Sequence, residues 1–530
     1  MGSNWETLAA KKRQDLQDLI PEEWRIPKDL FPADDEKDVT SFPEKSGWFT
    51  SEELEITNST ALELLPRLAS GELASEKVTR AFCKRAAAAH QLINCLSEIC
   101  FERAISTAKA LDEHLAKAGK TIGPFHGLPI SLKDNFNLVG LDSTVGFTSH
   151  IGDPAKSDAT LADILREAGA VFYVKTNVPT AMMIGESVNN AVGRTVNPRG
   201  RHLTSGGSSG GESALITFRG SPLGVGTDIG GSLRIPAACT GLFTIRPSFG
   251  RFPTLGCRSG LPGQEAVQSV NGPLAQSLAD LELYARTVVG AEPWRVDPRC
   301  LPIPWRTVTV PRKLKIGVMW HDGIVAPTPP VARALRHTVD RLEAVGHEII
   351  DWSPEDQESG LRLLLRMFTA DGGKAIANEL ARTGEPLRPE MESYGKVKGI
   401  SAFEYWQLHL ERQAFQKKYL ERWVAAGIDA LLCPTTPYST VENGKFKHIA
   451  YTGVFNVVDY SAMSFPTGLT VDQAVDLQVN GQLSDADKTA QREYNAAAVH
   501  GQPISLQLVA RRLEEEKCIE MCKLVLEALA

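Results

Sequence analysis

Three short segments hold residue types that can do chemistry together. The first, Gly123 to Asp134 (GPFHGLPISLKD), is an apolar run that ends on Lys133. The second, Gly206 to Ala214 (GGSSGGESA), is a glycine-rich stretch bearing Ser208 and Ser209. The third, Gly224 to Pro236 (GVGTDIGGSLRIP), follows its glycine pair with Ser232. A lysine at the end of an apolar strand is desolvated. Desolvation disfavours the charged amine, so Lys133 is a candidate neutral base. Residues Ile229, Gly230, Gly231 and Ser232 offer consecutive backbone N–H groups, unobstructed by side chains at the two glycines. That is what an oxyanion hole requires, with a hydroxyl nucleophile at its end. A serine of the second segment can bridge base and nucleophile, although spacing alone does not bring the three segments together.

Other uses of these glycines fit less well. A phosphate loop of the Walker type needs Lys and then Ser or Thr after its last glycine, and Gly211 is followed by Glu212. A dinucleotide loop needs a third glycine where Ile229 stands. Residues 207–211 match the G-x-S-x-G elbow with Ser209 at its centre, but the residues before it, 197–205, form no apolar strand. Ser205 and Ser209 are therefore read as loop hydrogen-bonders. Asp228 and Arg234 are read as a brace for the nucleophile loop, and His126 as a hydrogen-bonded histidine without a catalytic part.

The elements that must position these residues alternate between strand and helix. Residues 128–132 and 170–174 read as strands, with a helix over 160–168 between them. Residues 315–319, a helix opened by Pro330, and 347–350 read as a βαβ unit. Residues 430–433 and 504–509 are further strands, and 513–529 a closing helix. Such alternation predicts a mostly parallel sheet with helices on both faces. The stretch 191–213 is polar and small, either a surface loop or a site made from backbone. The stretch 471–500 reads as a surface excursion. Apolar residues at helical spacing over 4–20, with Ser3 or Asn4 as cap, begin an N-terminal helical arm and loop over 1–59. One large α/β domain then occupies 60–530.

The 530 residues are 42% hydrophobic, and 57 basic against 64 acidic side chains leave a net charge of −7. That composition excludes a disordered or collagen-like chain, and it provides no basic field for nucleic acid or anionic membrane. The nine cysteines form no CxxC pair and no metal-ligand spacing, so they read as free thiols in a reducing compartment. No apolar run reaches 18 residues. The expectation is a cytoplasmic protein with no metal or organic cofactor.

Taken whole, GGSSGGESA and GTDIGGSLRIPAA closely resemble the signature of the amidase signature family. GLPISLKD, DALLCPTTP (429–437) and GQPISLQLVARR (501–512) are similar to other segments of that family. WETLAAKKRQDL and IPEEWRIP resemble its fungal acetamidase branch. The likeness runs from about residue 60 to 515. It implies a single α/β/α domain around a mixed twisted sheet, and hydrolysis of the C–N bond of a linear carboxamide through an acyl-serine. It implies a Ser-cisSer-Lys triad, with Lys133 as base, Ser208 as the bridging serine after a cis peptide bond, and Ser232 as nucleophile. It places the oxyanion amides on Ile229, Gly230, Gly231 and Ser232, and a substrate contact on Met182. The implied partner is a small-molecule amide, not nucleic acid or membrane, and a homodimer stays open. Two rivals remain: an ammonia-supplying amidotransferase-type subunit, and a non-catalytic binding protein on the same fold. The acetamidase-like N-terminus argues against the first and the unsubstituted triad against the second.

Overall fold

The computed structural model describes residues 4–530. Its centre is an eleven-stranded sheet. Across the sheet the strands run Leu96–Ile99, Val171–Thr176, Pro129–Lys133, Leu223–Asp228, Val270–Ala275 and Phe243–Arg246. They continue with Ser461–Thr470, Pro503–Ala510, Ala430–Pro434, Lys315–Val318 and Glu348–Asp351. The flanks carry the parallel pairs. Pro129–Lys133 is parallel to both of its neighbours, as is Lys315–Val318 to both of its own. Every pairing from Leu223–Asp228 to Ala430–Pro434 is antiparallel. The mostly parallel sheet read from strand–helix alternation is thus corrected to a mixed one, as the family resemblance implied. Helices over Arg234–Thr240, Ala450–Val457 and Asp485–Glu493 also lie between strands of this antiparallel middle, so alternation of strand and helix does not by itself dictate parallel pairing.

Burial on both faces explains the apolar strands. All six residues of Val171–Thr176 and all five of Pro129–Lys133 are buried. The βαβ unit is present: a helix over Pro329–Ala344, with proline in its first turn, buries Val331, Leu335, Val339 and Leu342. The strands on either side of it pair in parallel. The first helix, Trp5–Asp18, follows Asn4, which makes no side-chain cap bond; Ser3 lies outside the described residues. Leu16, Ile20 and Trp24 belong to the same hydrophobic cluster as Leu96, Val171 and Leu506 of the sheet. Lys12 is buried in an ion pair with Glu98 at the sheet edge. Stretch 191–213 is mostly buried: it folds into short hairpin strands and then a helix over Gly210–Thr217, all of whose residues are buried. Burial overturns the surface-loop reading of that stretch.

Five further strands, Leu96–Ile99, Leu223–Asp228, Val270–Ala275, Phe243–Arg246 and Ser461–Thr470, are not evident from periodicity. Leu223–Asp228 is the strand the site depends on. A Cβ on Gly224 would lie 2.0 Å from Glu212 Oε2, so glycine lets the strand pass against a buried carboxyl group.

Candidate active site

Lys133 ends its strand fully buried. Its Nζ lies 2.7 Å from Ser208 Oγ and 2.7 Å from Thr227 Oγ1 of the adjacent parallel strand. Burial pulls its pKa down to about 7, against the opposing attraction of Asp228, Glu212 and Asp134. The Gly207–Ser208 peptide bond is cis. Next along, Ser209 is fully engaged: its Oγ donates to Thr227 O at 3.2 Å and accepts from Thr227 N at 3.3 Å. Its backbone N–H donates to Ser232 O at 3.1 Å. The centre of the apparent elbow therefore ties two backbone segments together. Glu212 lies on the other side of this floor, fully buried, with Ser131 Oγ donating to one oxygen at 2.6 Å and Thr176 Oγ1 to the other at 2.8 Å. Burial pushes it up to about 8, opposed by those hydroxyls and by Lys133.

The loop from Asp228 to Arg234 is braced from below. Arg234 reaches both oxygens of Asp228, each at 3.1 Å, and also Asn456 Oδ1 at 2.6 Å, Thr452 O at 3.1 Å and Gln507 Oε1 at 3.3 Å. Burial pushes Asp228 up, but Arg234, with Arg246 and Asn456, holds it down at about 2. The brace read for Asp228 and Arg234 is what the geometry contains. Asp228 Oδ1 also accepts from the Gly231 N–H at 2.9 Å, and Thr452 Oγ1 donates to Gly230 O at 2.7 Å. Gly231 has φ +133°, and a Cβ there would lie 2.3 Å from Thr452 Oγ1. Of the four amides named from sequence, Gly231's is committed to Asp228. Those of Ile229, Gly230 and Ser232 donate to no protein acceptor among the described residues.

Two cavities open on Ser232. One, of about 300 Å³, is lined by Ser208, Thr227, Ile229, Met182 and polar residues including Asn135 and Asn271. The other, of about 620 Å³, shares Met182, Ile229 and Ser232 and is lined by Leu361, Leu365 and Phe368 among others. Met182, at φ +57° in a 3₁₀ turn, is thus part of the wall common to both. Ser208 and Ser232 share the smaller cavity, but no hydrogen bond joins their hydroxyls. The structure brings Lys133 to Ser208 directly, and Ser232 to the same cavity above them. His126 is buried away from this cluster; its Nδ1 accepts from Ile122 N at 3.3 Å, but its buried Nε2 has no partner among the described residues, so the ring is only half satisfied. All nine cysteines are free thiols. Cys257 lines the smaller cavity, where burial pushes its thiol up to about 12, so it is no rival nucleophile near neutral pH.

The family model for amidases matches residues 77–519. The chain belongs to the amidase family. Relatives of this amidase include acetamidases of Emericella nidulans and Aspergillus oryzae, 40% and 39% identical over 99% of this chain and 98% of theirs. Among solved structures, a fatty acid amide hydrolase superposes with a TM-score of 0.94 at 33% identity, covering 99% of this chain and 95% of that one. The protein is therefore an amidase-signature hydrolase acting on amides, with that family's single α/β fold. Among its described residues, no helix is long and apolar enough to cross a membrane, and no group of three or more His, Cys, Asp or Glu could hold a metal ion.

Three contributors to the amidase's site are not marked in its sequence. Thr227 sits in the strand Leu223–Asp228, and its hydroxyl contacts Lys133. In the strand Thr227 shares a side with Leu223 and Val225, but the glycines between them mask the alternation. Asn456 and Gln507 come from segments more than 200 residues beyond the loop they brace, and nothing local marks them.

Proposed function

We propose that this amidase cleaves the C–N bond of a carboxamide through an acyl intermediate on Ser232, with Lys133 as base and Ser208 as proton bridge. The observation that carries the reading is a fully buried lysine Nζ 2.7 Å from Ser208 Oγ, on the floor of the cavity that Ser232 enters. A neutral amine has one lone pair and two hydrogens. It accepts the Ser208 hydroxyl proton and donates to Thr227 Oγ1. As Ser232 Oγ attacks the carbonyl carbon, its proton passes to Ser208 Oγ and the Ser208 proton to Lys133 Nζ. Rotation of the Ser208 hydroxyl and the arrival of substrate close the gap between the two serines, since catalytic hydrogen bonds tighten in the bound complex. The tetrahedral oxygen takes its hydrogen bonds from the free amides of Ile229, Gly230 and Ser232. Gly231, through Asp228, keeps the loop in place. Breaking the C–N bond returns a proton through Ser208 to the leaving amine. Water, activated by the same pair, then releases the carboxylate.

Side chains and backbone supply every group this scheme uses. The acetamidase names of the relatives favour short acyl groups, whereas the 620 Å³ cavity has room for larger ones. The test is labelling by a fluorophosphonate followed by peptide mapping, with turnover of a graded series of amides by the isolated chain. Modification at Ser232 alone, lost in Ser232→Ala, supports the scheme; modification elsewhere moves the nucleophile. Turnover by the isolated chain also excludes the ammonia-supplying subunit and the non-catalytic protein.

A further inference from the structure

Of the charged side chains in the wall of the larger cavity beside Ser232, Glu186 and Glu390 are paired with Arg194, and Lys447 with Glu493. His448 lies just before the Ala450–Val457 helix and lines the cavity with Ile449, Phe446 and Ile235. Its Nε2 is 2.5 Å from Asp322 Oδ2. Asp322 is fully buried, and its other oxygen accepts from Ile324 N at 2.9 Å and Val325 N at 2.8 Å. With both oxygens of Asp322 acting as acceptors, His448 Nε2 is the donor, which fixes the tautomer and the ring plane. The ring also meets Tyr451 edge to face at 6.0 Å. Nδ1 has no partner among the described residues, and in the neutral ring it is an acceptor. The same helix ties this wall to the reaction centre, since its Thr452 bonds Gly230 O.

We infer that His448 is a specificity-determining residue: oriented by Asp322, its Nδ1 accepts a hydrogen bond from a hydroxyl or N–H on the part of the amide that fills the larger cavity. Leu361, Leu365 and Phe368 provide contact area but no direction, so an acceptor held in one orientation at His448 sets where along the substrate a donor is welcome. The favoured substrates are amides with one hydroxyl or N–H at a set distance from the reacting carbonyl, rather than plain hydrocarbon amides. This inference rests on amide hydrolysis at Ser232.

The experiment uses pairs of carboxamides in which one hydroxyl replaces one methyl group. The replacement is moved along the acyl chain and then along the amine substituent. At one position the wild type should prefer the hydroxyl by about tenfold in kcat/KM, the value of one well-made hydrogen bond. His448→Leu should erase the preference, with the loss falling on KM for the hydroxylated member. His448→Gln, whose carbonyl can still accept, should keep part of it, and Asp322→Asn should weaken it by freeing the tautomer. A wild type with no preference at any position overturns the inference. So does a Leu variant that keeps the preference, or one that loses kcat equally on both members, which would make His448 a brace only. Calorimetric affinities of the same pairs for Ser232→Ala and for Ser232→Ala with His448→Leu read the preference without turnover. Failure of the hydrolytic reading is thereby distinguished from failure of this one.

Discussion

Replacing Lys133 by alanine and by arginine separates a proton acceptor from a structural cation. An exposed lysine with a pKa of about 10.4 is neutral in roughly one molecule per thousand at about pH 7.4. With the pKa drawn down to about 7 by burial, the neutral share at that pH is about 70%, a gain of several hundredfold in competent base. The sign follows from the proton: the active form is the deprotonated one. The kcat/KM of the wild type should therefore rise about tenfold between about pH 6 and 8 and level off above. Lys133→Ala should remove both the rise and about 10²–10⁴ of the rate, the usual share of general base catalysis. Lys133→Arg should do no better, since a guanidinium keeps its proton throughout this range. The assay is initial-rate hydrolysis of a non-titrating carboxamide from about pH 5.5 to 9.5, with circular dichroism to establish that each variant is folded. An active arginine variant, or an alanine variant with the same alkaline rise, would refute the assignment and leave Lys133 as part of the scaffold.

Ser232→Ala should abolish turnover and fluorophosphonate labelling while leaving the thermal midpoint within a few degrees of wild type, because one hydroxyl at a cavity wall is lost; labelling with mass spectrometry checks it. Arg234→Leu leaves the Asp228 carboxylate buried without its cation and should cost about 3–5 kcal/mol, read as a lower urea midpoint at unchanged slope. Gly231→Ala should lower expression and stability sharply, because its Cβ meets Thr452 in a backbone conformation that favours glycine; soluble yield and melting temperature report it. Overnight dialysis against EDTA should leave kcat/KM unchanged, and activity restored only by added zinc would contradict the cofactor-free scheme.

The legible part of this protein is the part whose chemistry is local. Lys133 announces itself because four apolar neighbours build the strand that buries it, and Ser232 because two glycines precede it. The sheet order is less legible. Residues 270–275 and 461–470 contain Asn, Gly, Pro and Thr where a strand pattern would want branched apolar side chains, and it is pairing within the sheet that makes them strands. Thr227 was hidden for the same reason, in a strand where Glu212 and Ser131 press against Gly224, and Ser209 and Leu233 against Gly226. The oxyanion amides show the opposite case. Sequence marks all four N–H groups as equal, and only the position of the Asp228 carboxyl group takes Gly231 out of the set.

The place of Pro503–Ala510 in the sheet has a consequence for how the enzyme comes into being. That strand comes after the sheet's other strands in chain order, yet it lies between Ser461–Thr470 and Ala430–Pro434 and joins the two flanks of the sheet. Until it is made, a growing chain holds two unjoined half-sheets with open edges, the form in which strands pair with the wrong neighbours. Its Gln507 also completes the contacts of Arg234. A premature stop shortly before residue 503 would therefore do more than shorten the protein. It would leave the sheet in two pieces and the Asp228–Arg234 loop without one of its struts, so that completion of the sheet and assembly of the proposed catalytic centre are a single event.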